Sequence, residues 1–193
     1  MSLIITYGFF GEDEAQRNFL EKYLHQTFPD TFIEDENERW RFRAGNSTQV
    51  DVLLPDALRQ RALLSLDVLF VGRDIDTEHK PTIATRLDLY AGKCKGHPAV
   101  LMLPVQCIEY WLWYIKRHRE EPGRNTPLES QPRSLAKQAI YAGTKLVARQ
   151  VEFANDILVD LDVSWLESRS DSFRHFHKQV TDFLSQYNKT AST

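Results

Sequence analysis

Cysteine is scarce in this chain: Cys94 and Cys107 stand alone, and no Cys-x-x-Cys pair occurs. Two isolated thiols cannot build a disulfide framework, and they are expected to stay reduced in a cytoplasmic setting. Long apolar runs are missing as well. No stretch approaches the ~18 residues needed to span a bilayer. The opening MSLIITYGFF lacks the basic start, extended apolar core and small-residue cleavage site of a secretory leader. A soluble, cytoplasmic protein with no membrane partner is expected. Excess positive charge is missing too: 24 Lys and Arg stand against 27 Asp and Glu, a net charge of −3, with a pI of about 6.1. This argues against a passive nucleic-acid binder more than against an enzyme, which needs only a local basic lip. Signatures of nucleophilic and nucleotide chemistry are also absent, with no Gly-x-Ser-x-Gly elbow, Walker loop or His-Glu-x-x-His helix.

What is present is an ordinary globular composition, 42% hydrophobic and 26% charged, and enough length for one compact domain. The first part alternates strand and helix. Ile4 to Phe10 reads as a buried strand stopped by Gly11, and from Asp13 the period changes. Phe19, Leu20, Tyr23 and Leu24 then share one helix face, which Pro29 ends. Thr31 to Arg43 alternates weakly, with Phe32, Trp40 and Phe42, and is expected to form a strand or hairpin. A helix is expected over Leu53 to Leu66, with Asp51 or Pro55 near its start. Asp67 to Gly72 is a continuous apolar run of the kind covered on both faces of a parallel sheet. A helix over Pro81 to Ala91 follows, then a buried strand Ala99 to Val105 and an aromatic helix Ile108 to Arg117. Glu121 to Arg133 holds three prolines and a glycine and is expected to be a loop. Helices are then expected over Leu135 to Val147, Val151 to Leu161 and Ser172 to Tyr187, with Asn188 to Thr193 disordered. These spacings imply βαβ units: an α/β fold with a mainly parallel sheet in residues 1–120 and a helical C-terminal cap in 121–193.

In such a sheet chemistry gathers at the carboxyl ends of the strands. The first strand runs into Glu12-Asp13-Glu14, and the Asp67–Gly72 strand runs into Arg73-Asp74-Ile75-Asp76. Asp74 and Asp76, two apart, point the same way in extended backbone. With a glutamate from the neighbouring strand they offer hard oxygen ligands suited to Mg²⁺ or Mn²⁺. Helix capping is the competing reading for Glu12, Asp13 and Glu14, and a solvated turn for Asp74 and Asp76.

Tyr7-Gly8-Phe9-Phe10-Gly11-Glu12-Asp13, followed by Phe19-Leu20, resembles the strand–Glu–helix opening of TOPRIM domains. Leu69 to Asp76 resembles the strand and Asp-x-Asp that follow it. Together with Ile108-Glu109-Tyr110-Trp111-Leu112 and Ser172-Phe173-Arg174, these motifs are similar to a group of small bacterial TOPRIM-related proteins of unassigned function. The likeness covers about Ile4 to Leu184. It implies a TOPRIM-like sheet, a metal site built from Glu12, Asp74, Asp76 and Glu109, and a Mg²⁺-dependent nuclease of OLD-like type with Glu12, Asp74 and Asp76 as catalytic residues. It further implies DNA or RNA as substrate, a separate ABC-type ATPase as partner and a setting in anti-phage defence; a homo-oligomer is compatible with it. The usual opening of these domains places Glu directly before Gly, where this chain has Phe10-Gly11. Glu12 is taken as the equivalent because its distance to Phe19 and Leu20 fits. With Phe10 in that role the protein would instead be a non-catalytic interaction subunit. A hydrolase acting on nucleotide phosphate esters is a third reading.

Other residues have weaker claims. Tyr110, Trp111, Trp113 and Tyr114 could stack on bases but more naturally pack a buried helix. Arg73 could orient Asp74, contact phosphate or form an ion pair. Lys137, Lys145 and Arg149, spaced eight and four apart, are expected to share a helix face that either holds phosphates or faces solvent. His175 and His177 have no partners at metal-ligand spacing and are expected at the surface.

Overall fold

The computed structural model describes residues 4–35 and 44–191. In chain order these form β1 (Ile5–Gly11), α1 (Glu14–Thr27), β2 (Phe32–Glu34), α2 (Ser47–Leu63), β3 (Val68–Gly72) and α3 (Lys80–Cys94). β4 (Ala99–Met102), α4 (Glu109–Glu120), α5 (Arg133–Tyr141), α6 (Val147–Leu158), α7 (Val163–Arg169) and α8 (Asp171–Ala191) follow. The strands form one parallel sheet in the order β2-β1-β3-β4. This is the expected α/β architecture, Rossmann-like and flanked by helices, with a helical C-terminal part. No described helix is long and apolar enough to cross a membrane.

The alternation of the strands sends side chains into two separate cores. Ile5, Tyr7 and Phe9 of β1 and Val68 and Phe70 of β3 enter the larger core, beneath α1, α4 and the C-terminal helices. Phe10, Leu69 and Val71 enter the other, beneath α2 and α3. An aromatic cluster of Phe19, Tyr23, Trp111, Phe173 and Phe176 ties α1, α4 and α8 together. Within it the Trp111 indole donates to Ser172 Oγ at 2.9 Å. The aromatic run of α4 is therefore core, with Tyr110, Trp111 and Tyr114 buried and Trp113 partly so. On the outer side of β4, the Gln179 amide of α8 accepts from Leu101 N at 3.0 Å and donates to Leu101 O at 3.2 Å.

Several boundaries differ from the sequence expectation. α2 begins at Ser47, capped by Asn46, with Pro55 inside the helix rather than at its start. The carbonyl of Asp51 that the proline cannot satisfy accepts from Lys93 Nζ at 2.8 Å instead. The expected helix over 135–147 stops at Tyr141, where Ala142 (φ 49°) and Gly143 (φ 82°) turn left-handed. Lys145 thus lies in a linker, so Lys137, Lys145 and Arg149 do not share one helix face. α7 forms between two expected helices where the sequence pattern predicts none, and α8 runs on to Ala191 past the expected end at Tyr187. His177 is half-buried and accepts or donates at Tyr23 Oη at 2.7 Å, not a free surface group. Most of the remainder of the expected strand or hairpin, residues 36–43 with Trp40 and Phe42, lies outside the described residues.

Candidate metal centre

Backbone pairing between β3 and β4 continues past the strands proper. Arg73 N donates to Met102 O and Ile75 N to Pro104 O, each at 3.0 Å, and Asp76 N to Gln106 O at 3.1 Å. The Arg73–Asp76 segment therefore stays laddered, and its side chains alternate between the faces. Ile75 is buried in the α2/α3 core, so Asp74 faces the α1/α4/α5 side. Asp76, with φ 58°, closes the ladder in a conformation that aspartate tolerates better than most residues.

Asp74 is 1% exposed. Its Oδ1 accepts from Gln16 Nε2 at 2.8 Å and from Ile108 N at 3.2 Å, and its Oδ2 accepts from Arg133 Nη2 at 2.7 Å. A carboxylate can accept about four hydrogen bonds, so one position on Oδ2 is spare. Glu12 stands beside it, its Oε1 accepting from Asp74 N and, at 3.3 Å, from Gln16 Nε2. Gln16 is wholly buried and joins the two acids. Two glycines make room for this crossing. A Cβ on Gly72 would lie 2.6 Å from Gln16 Oε1, and one on Gly11 would lie 2.3 Å from the Phe9 ring.

The third acid arrives from the β4–α4 junction. Gln106 takes φ 60°, Cys107 N turns back to Val105 O at 2.8 Å, and Glu109 opens α4. Ligand atoms of Asp74, Cys107 and Glu109 then all lie within 4.8 Å of one another. Glu109 is 3% exposed. Its Oε1 lies 3.6 Å from Lys137 Nζ, while Oε2 is buried with no hydrogen-bond partner. The Tyr141 hydroxyl is likewise buried without a partner, and Glu109 is the charged group that bears on it most.

Burial raises the Asp74 carboxyl well above its ordinary range, and the charges of Glu12, Glu109 and Asp13 push the same way against Arg133. Burial also raises Glu12. Burial and then the Glu109 carboxylate push the Cys107 thiol up. Crowded acids of this kind release their strain by holding protons or by taking a cation.

Of the residues singled out in the sequence, Glu12, Asp74 and Glu109 meet at this edge. Asp76 shares Arg133 with Asp74 but lies at the surface. Its carboxylate is held by Arg133 and, at 2.8 Å, by Arg73 Nη1. Arg73 is thus an ion-pair residue, reaching Asp51 as well at 3.5 Å. Asp13 caps α1 through Gln16 N at 3.0 Å, and Glu14 is exposed beside Arg17. Phe10 lies in the opposite core, away from the acids. Sequence reasoning missed Gln16, Cys107 as a neighbour of the acids, and Arg133. Gln16 had a readable signal: it is a polar residue in register with Phe19, Leu20 and Tyr23 on the buried face of α1.

The donor chemistry fits a divalent cation. Asp74 and Glu109 supply buried hard oxygens, one of them unpartnered, Glu12 lies adjacent, and Lys137 and Arg133 limit the local negative charge. No family model, curated protein or solved structure matches this chain.

Proposed function

We propose that this chain is a metal-dependent phosphodiesterase of TOPRIM type, cleaving DNA or RNA at the edge formed by Glu12, Asp74 and Glu109. The observation that carries this reading is the buried Asp74–Glu109 pair, in which Glu109 Oε2 has no hydrogen-bond partner and the Cys107 thiol is the nearby group. Mg²⁺ or Mn²⁺ bound there would offset phosphate charge and acidify a water. Asp74 and Glu109 would hold the ion, with Gln16 and Ile108 N fixing the Asp74 carboxylate. Glu12, whose Oε1 meets Asp74 N, would take the proton from the attacking water. Arg133 presents two guanidinium nitrogens at this edge and can turn them to phosphate oxygens. Asp76, which shares that arginine with Asp74, would keep its Arg73 partner and could then add one oxygen to the acidic set. Partnership with a separate ABC-type ATPase and a role in anti-phage defence belong to the same reading and are supported by the motif resemblance alone.

The test is cleavage of single- and double-stranded DNA and RNA with Mg²⁺ or Mn²⁺, with and without such an ATPase. Wild type should cleave, and the Asp74→Ala/Glu109→Ala double variant should not. Activity surviving in that folded double variant would refute the mechanism. A second reading, a non-catalytic interaction subunit, is favoured by Arg133 binding Asp74 and Asp76 together, as a built-in cation would. It predicts a wild type inactive under every one of these conditions.

A further inference from the structure

The acidic edge includes a group that a purely oxygen-ligated magnesium site does not use: the Cys107 thiol. We propose that Cys107 is itself a ligand, so that Asp74, Cys107 and Glu109 form a three-residue centre selective for thiophilic divalent cations of the Zn²⁺, Co²⁺ and Cd²⁺ class over Mg²⁺. The inference rests on the cation-binding part of the reading above, puts a thiophilic ion in place of the Mg²⁺ named there, and is independent of phosphodiester cleavage.

Three observations carry it. Among the described residues, Asp74, Cys107 and Glu109 are the one group of potential ligands whose donor atoms lie mutually within 4.8 Å, and all three are buried. The unpartnered Glu109 Oε2 belongs to that group, and the unpartnered Tyr141 hydroxyl lies near it. Each ligand also sits on stiff backbone: Asp74 in the extended β3–β4 ladder, Cys107 in the turn that closes on Val105 O, Glu109 at the first residue of α4. A site built on such elements keeps its geometry.

The chemistry selects the metal. A mixed set of carboxylate oxygens and one sulfur suits borderline-soft cations, whereas Mg²⁺ takes oxygen alone. Three protein ligands are the number used by catalytic zinc sites, leaving one position open. Coordination replaces the S–H bond by a sulfur–metal bond, and the proton leaves to solvent. Two carboxylates, one thiolate and a dication sum to a single negative charge. Lys137, 3.6 Å from Glu109, and Arg133, 2.7 Å from Asp74, stand ready to offset it. Cys94 is an internal control, lying in the opposite core among apolar residues.

The experiment titrates the metal-stripped full chain with Co²⁺ and follows thiolate-to-cobalt charge-transfer absorption. The band should saturate at one equivalent, persist in Cys94→Ser and vanish in Cys107→Ser, which should also weaken Co²⁺ binding by about tenfold or more. Zn²⁺ should displace the cobalt at equimolar levels, and excess Mg²⁺ should not. X-ray absorption of the Zn²⁺-loaded wild type, which needs no variant, should show one sulfur neighbour. An all-oxygen or oxygen–nitrogen shell, a band that persists in Cys107→Ser, or displacement by Mg²⁺ overturns the proposal. Saturable binding of Mg²⁺ without any sulfur signature does so while leaving the phosphodiesterase reading standing. Absence of binding by any divalent ion overturns both.

Discussion

Replacing Glu109 by Gln keeps the shape of the side chain and removes one charge from the crowded edge. Ligand atoms of Asp74 and Glu109 lie within 4.8 Å, and two unit charges at that separation repel by about 3.5 kcal/mol at an effective dielectric of ~20. Part of this is already relieved, because Arg133 binds the other Asp74 oxygen and the raised Asp74 carboxyl gives up its proton less readily than an ordinary aspartate. The substitution also gives up the Lys137 contact. That lysine is half exposed, so the loss is limited to about 0–1 kcal/mol. A net gain of about 1 kcal/mol for the metal-free protein follows, and for a chain of this length it raises Tm by about 2–4 °C. With a bound cation the order inverts. A ligand at a hundred times its Kd adds about 2.7 kcal/mol to the wild type, while the variant, lacking one anionic ligand, gains much less. Thermal melts followed by circular dichroism, first in chelator and then in saturating Zn²⁺ or Mn²⁺, read both terms. A variant that is less stable in chelator, or that responds to metal as fully as wild type, refutes the account of Glu109 as an uncompensated ligand.

The same acids set a pH dependence. The folded-state pKa of Asp74 is raised, so the folded chain binds more protons than the unfolded one above the ordinary aspartate range, and this contribution to stability is lost as pH rises through the raised value. The Tm advantage of Glu109→Gln in chelator should therefore be small in acid and grow toward neutral pH; an advantage constant across that range would contradict the coupling. Gly72→Ala should cost about 1–3 kcal/mol by overpacking against Gln16 and Phe9 and should weaken metal binding as Gln16 shifts off Asp74. Gly92→Ala, with nothing within 4 Å of the added carbon, should instead be neutral or stabilising by up to ~1 kcal/mol, as chemical denaturation of the pair will show. Tyr23→Phe should lower stability by about 1 kcal/mol through loss of the 2.7 Å bond to His177; an unchanged denaturation midpoint would mean that bond contributes nothing.

The parallel sheet was legible because Val68–Gly72 and its neighbours are short, continuous apolar runs rich in β-branched and aromatic residues, the pattern of a doubly covered strand. Glu12 and Asp74 could be paired in advance since both follow such strands, and the register Gly11 opposite Gly72 brings both to the same sheet edge. Other features depended on contacts that local patterns do not encode. Cys107 reads as an isolated thiol until the left-handed Gln106 turns it toward Asp74. Arg133 sits 57 residues from Asp76 at the end of what reads as a proline-rich loop, so nothing nearby announces its partner. The break after Tyr141 depends on Ala142, a good helix former, adopting a left-handed conformation that its own propensity disfavours. Pro55 misled for a related reason, since a lysine from another helix rescues the carbonyl it leaves bare.

The Gln179 side chain has a consequence for assembly. Its amide carries the same donor and acceptor as a peptide unit, and it meets both backbone groups that Leu101 turns outward from the sheet. It behaves as a one-residue imitation of a fifth strand, occupying the place where a foreign chain would begin to add itself by β-augmentation. β4 is only four residues long, so losing its central rung leaves too little ladder to recruit an extended peptide or a second sheet. A partner, or another copy of this chain, that docks here must do so through helix surfaces, or must first lift α8 and break the aromatic cluster anchored by Phe173 and Phe176.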